Sequence, residues 1–289
     1  MIFAIAAAAL ASAGPPRTIL FVGNSFTFGA MSDVMTYRKK SVHDLNGDGM
    51  GGVPALFRRF ADEAGLRYDV SLETAAGQTL SWHLSNKRDT IDRRWDAVVL
   101  QQYSTLDPDK PGDVTKTIGA AKAITALLKA RNPRVDISLV ATWTRPDLTY
   151  PRGKPWSGEP VEKMALDLRK ADDRVRSLDP SIRRIVPVGE AFNCAIASGI
   201  ADPNPYDGIA AGKIDLWASD HYHASSSGYY LEALTIFAAV TGSDPRKLGR
   251  SEKAAKELGI PEAIAVKLQG IAHQLAATGR CRVPERGGR

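Results

Sequence analysis

The sequence predicts an α/β protein: a three-layer α/β/α sandwich around a mainly parallel, five-stranded sheet. Three observations predict it. Short apolar runs alternate with longer amphipathic stretches along the 289 residues. The runs are continuously apolar rather than alternating, as strands covered on both faces are. No internal repeat or Pro/Gly/Ser-rich linker interrupts the alternation, so residues 14–289 read as a single domain.

In chain order, the strand candidates are Thr18–Gly23, Tyr68–Glu73, Ala97–Gln101, Asp136–Ala141 and Arg184–Val188. Between them lie the helical patterns Val53–Glu63, Val114–Ala130 and Glu162–Ser177, and after the last strand Ser225–Val240, Arg246–Leu258 and Pro261–Ala276. Pro146–Pro160 bears Pro, Gly and Trp and reads as a functional flap. In sheets of this kind ligands bind at the carboxyl ends of the strands, which directs attention to the residues just after each run.

Composition removes several function classes. The balance of 38 Lys+Arg against 32 Asp+Glu leaves a net charge of +6. It is dispersed in pairs such as Arg58-Arg59, Arg93-Arg94 and Arg183-Arg184 rather than gathered into a stripe. No aromatic ladder interleaves with them, so a nucleic-acid footprint is not expected. Met1–Leu10 is apolar and Ala11-Ser12-Ala13 is a small-x-small pattern. Residues 1–13 therefore read as a secretory signal peptide, although no Lys or Arg precedes the apolar run. No later run is long enough for a transmembrane helix, so no stable membrane insertion is expected. Export to the periplasm or beyond makes the environment oxidising, and favours a bridge between the two cysteines, Cys194 and Cys281, over two unrelated thiols.

The first strand runs into Gly23-Asn24-Ser25-Phe26-Thr27. A serine in a tight turn at a strand's end presents its hydroxyl at the sheet edge, where it needs a histidine base oriented by a carboxylate. Ser219-Asp220-His221-Tyr222-His223 supplies both, three residues apart. The expected set is Ser25 as nucleophile, His223 as base and then acid, and Asp220 as the group that orients His223.

These blocks resemble the SGNH (GDSL-type) hydrolase superfamily, in its branch with GNSFT around the nucleophile. Asp220-x-x-His223 before Gly228 is similar to the superfamily's final block, and Gly77 to its second-block glycine, whose N–H serves the oxyanion. The resemblance spans about residues 18–240 and implies the flavodoxin-like sandwich, an acyl-enzyme at Ser25 and no cofactor. The third block departs from it. Where most members carry Gly-x-Asn-Asp, this chain has Gln101-Gln102-Tyr103-Ser104. An amide N–H of glutamine is chemically adequate for an oxyanion. Gln101 is favoured because it is the first polar residue past the apolar run, and Gln102 is the alternate. The other reading is that both amides hold loop backbone.

Other residues admit two readings each. His83 reads either as a substrate-lining residue or as a satisfied interior histidine, and His221 as a substrate contact or a structural one. Trp143, Tyr150 and Trp156 are candidate platforms for a sugar ring or an acyl group; equally, the tryptophans could cover a helix. Asp44-Leu45-Asn46-Gly47-Asp48-Gly49 imitates a calcium loop, but Ala55 stands where the bidentate Glu is required. A turn is favoured over a calcium site on Asp44, Asn46 and Asp48. The expected partner is a small-molecule or carbohydrate ester, and the expected function is hydrolysis of a short acyl, O-acetyl in particular. The alternatives are a lipid-directed hydrolase (lysophospholipase or thioesterase) and a non-catalytic carbohydrate-binding relative.

Overall fold

The structure, a computed structural model, describes residues 14–281. The expected leader lies outside the described residues. Six strands form one sheet: β1 (Arg17–Gly23), β2 (His43–Asp44), β3 (Tyr68–Thr74), β4 (Ala97–Gln101), β5 (Asp136–Ala141) and β6 (Ile182–Pro187). The helices are α1 (Gly52–Glu63), α2 (Leu80–Asn86), α3 (Arg88–Ile91), α4 (Thr115–Arg131), α5 (Lys163–Leu178), α6 (Val188–Ala197), α7 (Ser226–Thr241), α8 (Lys253–Glu257) and α9 (Glu262–Thr278).

The strand order is β2-β3-β1-β4-β5-β6, and every pairing is parallel. The sheet therefore has six strands rather than the expected five. The addition, β2, is a two-residue edge strand paired only through His43↔Ser71 and Asp44↔Leu72. Too short to carry an apolar run, it left no periodic signal.

β1, β4, β5 and β6 divide their residues between two cores. Ile19 and Phe21 face one core with α1, α6, α7 and α9; Leu20 and Val22 face the other with α2, α4 and α5. Burial on both faces is why β1, β4 and β5 are continuous apolar runs. The strand order reverses at β1, which places the crevice outside the carboxyl ends of β1, β3 and β4.

Three local departures have physical causes. Val188 opens α6 instead of closing the last strand, because β6 passes into the helix at Pro187 without a loop. The helix expected over Arg246–Leu258 is broken at Gly249 (φ +74°), and Glu252 restarts it by accepting from the N–H groups of Ala254 and Ala255. Cys194 of α6 and Cys281, just past α9, are bridged (S–S 2.00 Å, Cα–Cα 5.5 Å), which ties the end of the described chain to the body across 87 residues. No described helix is long and apolar enough to cross a membrane.

Candidate active site

The site is built on three strand ends. At the end of β1, Gly23 is required by a close approach: a Cβ there would lie 2.1 Å from Thr27 Oγ1 and 2.8 Å from Gln101 Oε1. The chain then turns at once, with the N–H of Phe28 donating to Asn24 O and that of Ala30 to Ser25 O. Ser25 sits in this turn, 7% exposed. Tyr229 of α7 fixes the turn from below, its hydroxyl lying 3.1 Å from Ala30 O and 3.4 Å from Ser25 O.

Asp220 and His223 come from the loop that leads into α7. Ser225 caps that helix by accepting from the N–H of Gly228. Asp220 shapes the loop: its Oδ1 accepts from the backbone N–H groups of Tyr222 (3.1 Å) and His223 (2.9 Å). Its Oδ2 lies 2.6 Å from His223 Nδ1. That contact fixes the tautomer with the proton on Nδ1 and leaves Nε2 as an acceptor. Nε2 is buried and, among the described residues, has no hydrogen-bond partner. Partial burial works to raise the Asp220 pKa, but the hydrogen bonds from the His223 ring and from the two backbone N–H groups outweigh it and hold the carboxyl below its usual range. The His223 ring stands 5.7 Å from that of Phe26, the residue after Ser25.

Two residues beyond β5, Trp143 joins these pieces. It stacks on Phe26 at 4.0 Å and on Phe192 at 5.0 Å, and its indole N–H donates to Tyr222 O. Arg145 lies with its guanidinium 3.6 Å from the centre of the Tyr222 ring, grips Asp147 through Nε (3.0 Å) and Nη2 (2.7 Å), and donates to Ser104 Oγ. The Asp147 N–H in turn donates to His221 O. The 220–223 loop is thus held from the β5 side by Trp143, Arg145 and Asp147.

Several candidate residues take the structural rather than the substrate-lining of their two readings. Trp143 is fully buried, so it is a packing residue and not a sugar platform. Trp156 is also buried and donates from Nε1 to Asp167 Oδ2 on α5, which makes it the cover of a helix. Tyr150 donates to Pro203 O at 2.6 Å, and its ring is 5.8 Å from Tyr206, which in turn lies 4.2 Å from His221. Those three rings form one rim of the site, with His221 in the left-handed region (φ +53°). His83 is fully buried, its Nδ1 2.5 Å from the equally buried Glu73 Oε2, so it is interior rather than substrate-lining.

The two glutamines hold backbone and loop. Gln101 Oε1 accepts from the Asn24 N–H (3.1 Å) and from Thr27 Oγ1 (3.0 Å), while its amide nitrogen donates to Gln102 O. Gln102 Oε1 accepts from the N–H groups of Leu80 and Tyr103, and its nitrogen donates to Thr117 Oγ1. Each amide nitrogen thus spends one of its two hydrogens inside the protein. Asn24, unassigned in the sequence reading, donates from Nδ2 to Gln78 O (3.1 Å) and Gln102 O (3.4 Å), joining the ends of β1, β3 and β4. Among the described residues the N–H groups of Ser25 and Gly77 have no acceptor, and Gly77 adopts a left-handed φ of +68°.

The Asp44–Gly49 turn is closed by the chain itself. Asp44 accepts from the N–H groups of Asn46 and Met50, and Asn46 Oδ1 accepts from the Lys87 ammonium at 2.9 Å. A cationic side chain thus takes one of the oxygens that calcium would use, and backbone N–H groups take those of Asp44. Among the described residues no group of three or more His, Cys, Asp or Glu could hold a metal ion.

No model of a known protein family matches the chain, and no curated protein matches it. Solved structures do. The chain is similar to a DUF4886 family protein from Bacteroides uniformis (TM-score 0.61, 18% identity, covering 93% of this chain and 98% of that one). It is also similar to a protein assigned as a GDSL-like lipase from Parabacteroides merdae (TM-score 0.55, 18% identity, 79% and 96%). A third is a protein assigned as an SGNH hydrolase from Slackia heliotrinireducens (TM-score 0.50, 19% identity, 78% and 99%). At these identities the likeness is one of fold: the chain shares the three-layer α/β/α architecture of these structures.

Proposed function

We propose that the protein is a serine ester hydrolase that works through an acyl-enzyme at Ser25. The observation that carries this reading is the Asp220–His223 pair at 2.6 Å, with His223 Nε2 buried, unpartnered and next to the nucleophile turn. A buried acceptor without a partner is costly, and a proton-shuttling base is one reason to retain it.

In the reaction, Ser25 Oγ attacks the acyl carbonyl and its proton passes to His223 Nε2. The tetrahedral oxyanion takes the N–H groups of Ser25 and Gly77, which have no other acceptor. His223 then returns the proton to the departing alkoxide. Water attacks the acyl-enzyme with His223 again as base, and the free acid leaves. Asp220 holds the ring and stabilises its charged form. Gln101 supports the nucleophile turn through Asn24 and Thr27 in this reading, in place of the oxyanion role expected of Gln101 or Gln102.

For the substrate, the reading is a short acyl ester, O-acetyl in particular, on a carbohydrate outside the cytoplasm. The signal-peptide pattern at residues 1–13 and the Cys194–Cys281 bridge support export. Two measurements test the whole. Ser25→Ala should lower turnover of p-nitrophenyl acetate by about 10⁴-fold or more; ordinary hydrolysis by that variant overturns the nucleophile and leaves a binding protein as the alternative. Across an acyl series, the acetyl ester should be cleaved much faster than the octanoyl ester. Equal or faster octanoyl turnover transfers the substrate to lipids while leaving the Ser25 mechanism in place.

A further inference from the structure

With Trp143 and Trp156 packed inward, the Ser25 reading lacks a surface for the alcohol side of its ester. We propose that the cavity between α2 and the segment 102–116 is that subsite, with Trp82 as its aromatic platform, and that it takes a neutral hydroxylated ring, one sugar residue of an acylated saccharide. The proposal rests on the ester-hydrolase reading.

Position is the first argument. The cavity measures about 290 Å³ and is lined by Gly77, Gln78, Trp82, Gln102 and Lys116, among others. Gly77 is the second oxyanion donor. Gln78 and Gln102 each offer a carbonyl to the Asn24 side chain, which neighbours Ser25. The Asn24 side chain thus joins two walls of the cavity to the residue before Ser25.

Trp82 itself is the second. The other four tryptophans are buried, and each spends its indole N–H inside the protein: Trp95 on Ile91 O, Trp143 on Tyr222 O, Trp156 on Asp167 and Trp217 on Thr144 O. Trp82 is half-buried, and its indole N–H has no partner among the described residues. Its backbone is nevertheless fixed. The N–H donates to Thr79 Oγ1, the carbonyl accepts from Asn86 Nδ2, and the ring stands edge-on to buried His83 at 5.3 Å. A rigid aromatic face with a free donor at its edge suits a ring that presents C–H groups on one side and hydroxyls around it.

Charge and size select the ligand class. The cation at the rim, Lys116, is already paired with Asp107 (2.9 Å) and Asp109 (3.3 Å), so a phosphate or carboxylate finds no free counter-charge. Ser81 and Gln78 add an uncharged hydroxyl and amide to the walls. The volume is at the bottom of the range of roughly 300–1,000 Å³ for small-molecule sites, enough for a ring and too little for a long acyl chain.

The test compares the wild type with Trp82→Ala and Trp82→Phe on acetylated xylobiose and on p-nitrophenyl acetate, with thermal unfolding as the check on folding. Trp82→Ala should lower the ratio of kcat/KM for the saccharide over the small ester by about tenfold or more, mainly through KM, and Trp82→Phe should recover most of it. In Ser25→Ala protein, xylobiose should shield from acrylamide the part of the fluorescence that Trp82→Phe removes. A wild type that cleaves neither ester brings down the hydrolase reading and the subsite with it. A wild type that cleaves both, with an unchanged ratio in Trp82→Ala and no shielding, overturns the subsite alone.

Discussion

Replacing Gln101 with methionine separates two roles that this side chain could have. Methionine is of similar length but cannot accept a hydrogen bond of ordinary strength. The substitution removes the acceptor for the Asn24 N–H at 3.1 Å and for Thr27 Oγ1 at 3.0 Å, in a region where Gln101, Asn24 and Thr27 are 1%, 2% and 4% exposed. The Thr27 hydroxyl can rotate toward another acceptor, whereas the Asn24 N–H is fixed by the chain. One buried donor left unsatisfied costs about 1–3 kcal/mol, and with the second bond lost the total is roughly 2–4 kcal/mol. For a chain of this size that corresponds to a fall in Tm of roughly 5–15 °C. Turnover of p-nitrophenyl acetate should fall as well, because the turn that presents Ser25 loosens. Thermal unfolding and steady-state kinetics on the same sample decide the matter. If Gln101→Met keeps its Tm while kcat drops by about 10²–10³, the amide serves the oxyanion and its assignment to the turn is refuted.

Two further outcomes follow from the packing. Reducing the Cys194–Cys281 bridge should lower the unfolding free energy by about 4.6 kcal/mol in the chain-entropy account of a loop this long, read as a shift in denaturant midpoint with and without reductant; an unchanged midpoint would show that the last turn of α9 is held by packing alone. Glu232 on α7 is fully buried with one carboxylate oxygen unpartnered, and burial pushes its pKa well above the ordinary range. The folded protein therefore keeps a proton that the unfolded chain releases near about pH 4.3, so stability is lost as pH rises from there toward the raised value. Glu232→Gln should gain in Tm relative to the parent as pH is raised from about 4 to about 8, and a difference that stays flat over that range contradicts the assignment.

How far the sequence could be read follows from where each signal lives. β1, β4 and β5 were legible because burial on both faces forces continuous apolar runs, and the Ser25 and Asp220-x-x-His223 blocks because local spacing brings carboxylate and imidazole together. Where side-chain direction decides, the sequence left two readings open. Trp143 and Trp156 have the composition of a binding loop, yet one fills the space between Phe26 and Phe192 and the other caps α5 through Asp167. Trp82, within a helix too short to register as a periodic pattern, faces the cavity instead. Gln101 was recognised as the first polar residue after β4, but not its partners, because Asn24 and Thr27 are 77 and 74 residues away in sequence.

The long-range contacts explain why the two halves of the site, 198 residues apart in sequence from Ser25 to His223, arrive in register. Each half is anchored to an element already fixed by the sheet. The nucleophile turn is bound to β4 through Gln101 and to α7 through Tyr229. The histidine loop opens that same α7 and is clamped from β5 by Trp143 and Arg145. Trp143 touches both halves directly, stacking on Phe26 and donating to Tyr222 O, so a displacement of its ring moves Ser25 and His223 relative to each other. Burying an aromatic at that point contributes packing energy and catalytic geometry through the same contacts. At the third block, where the sequence departs from the resemblance, Gln101 holds the same turn from the β4 side through Asn24 and Thr27.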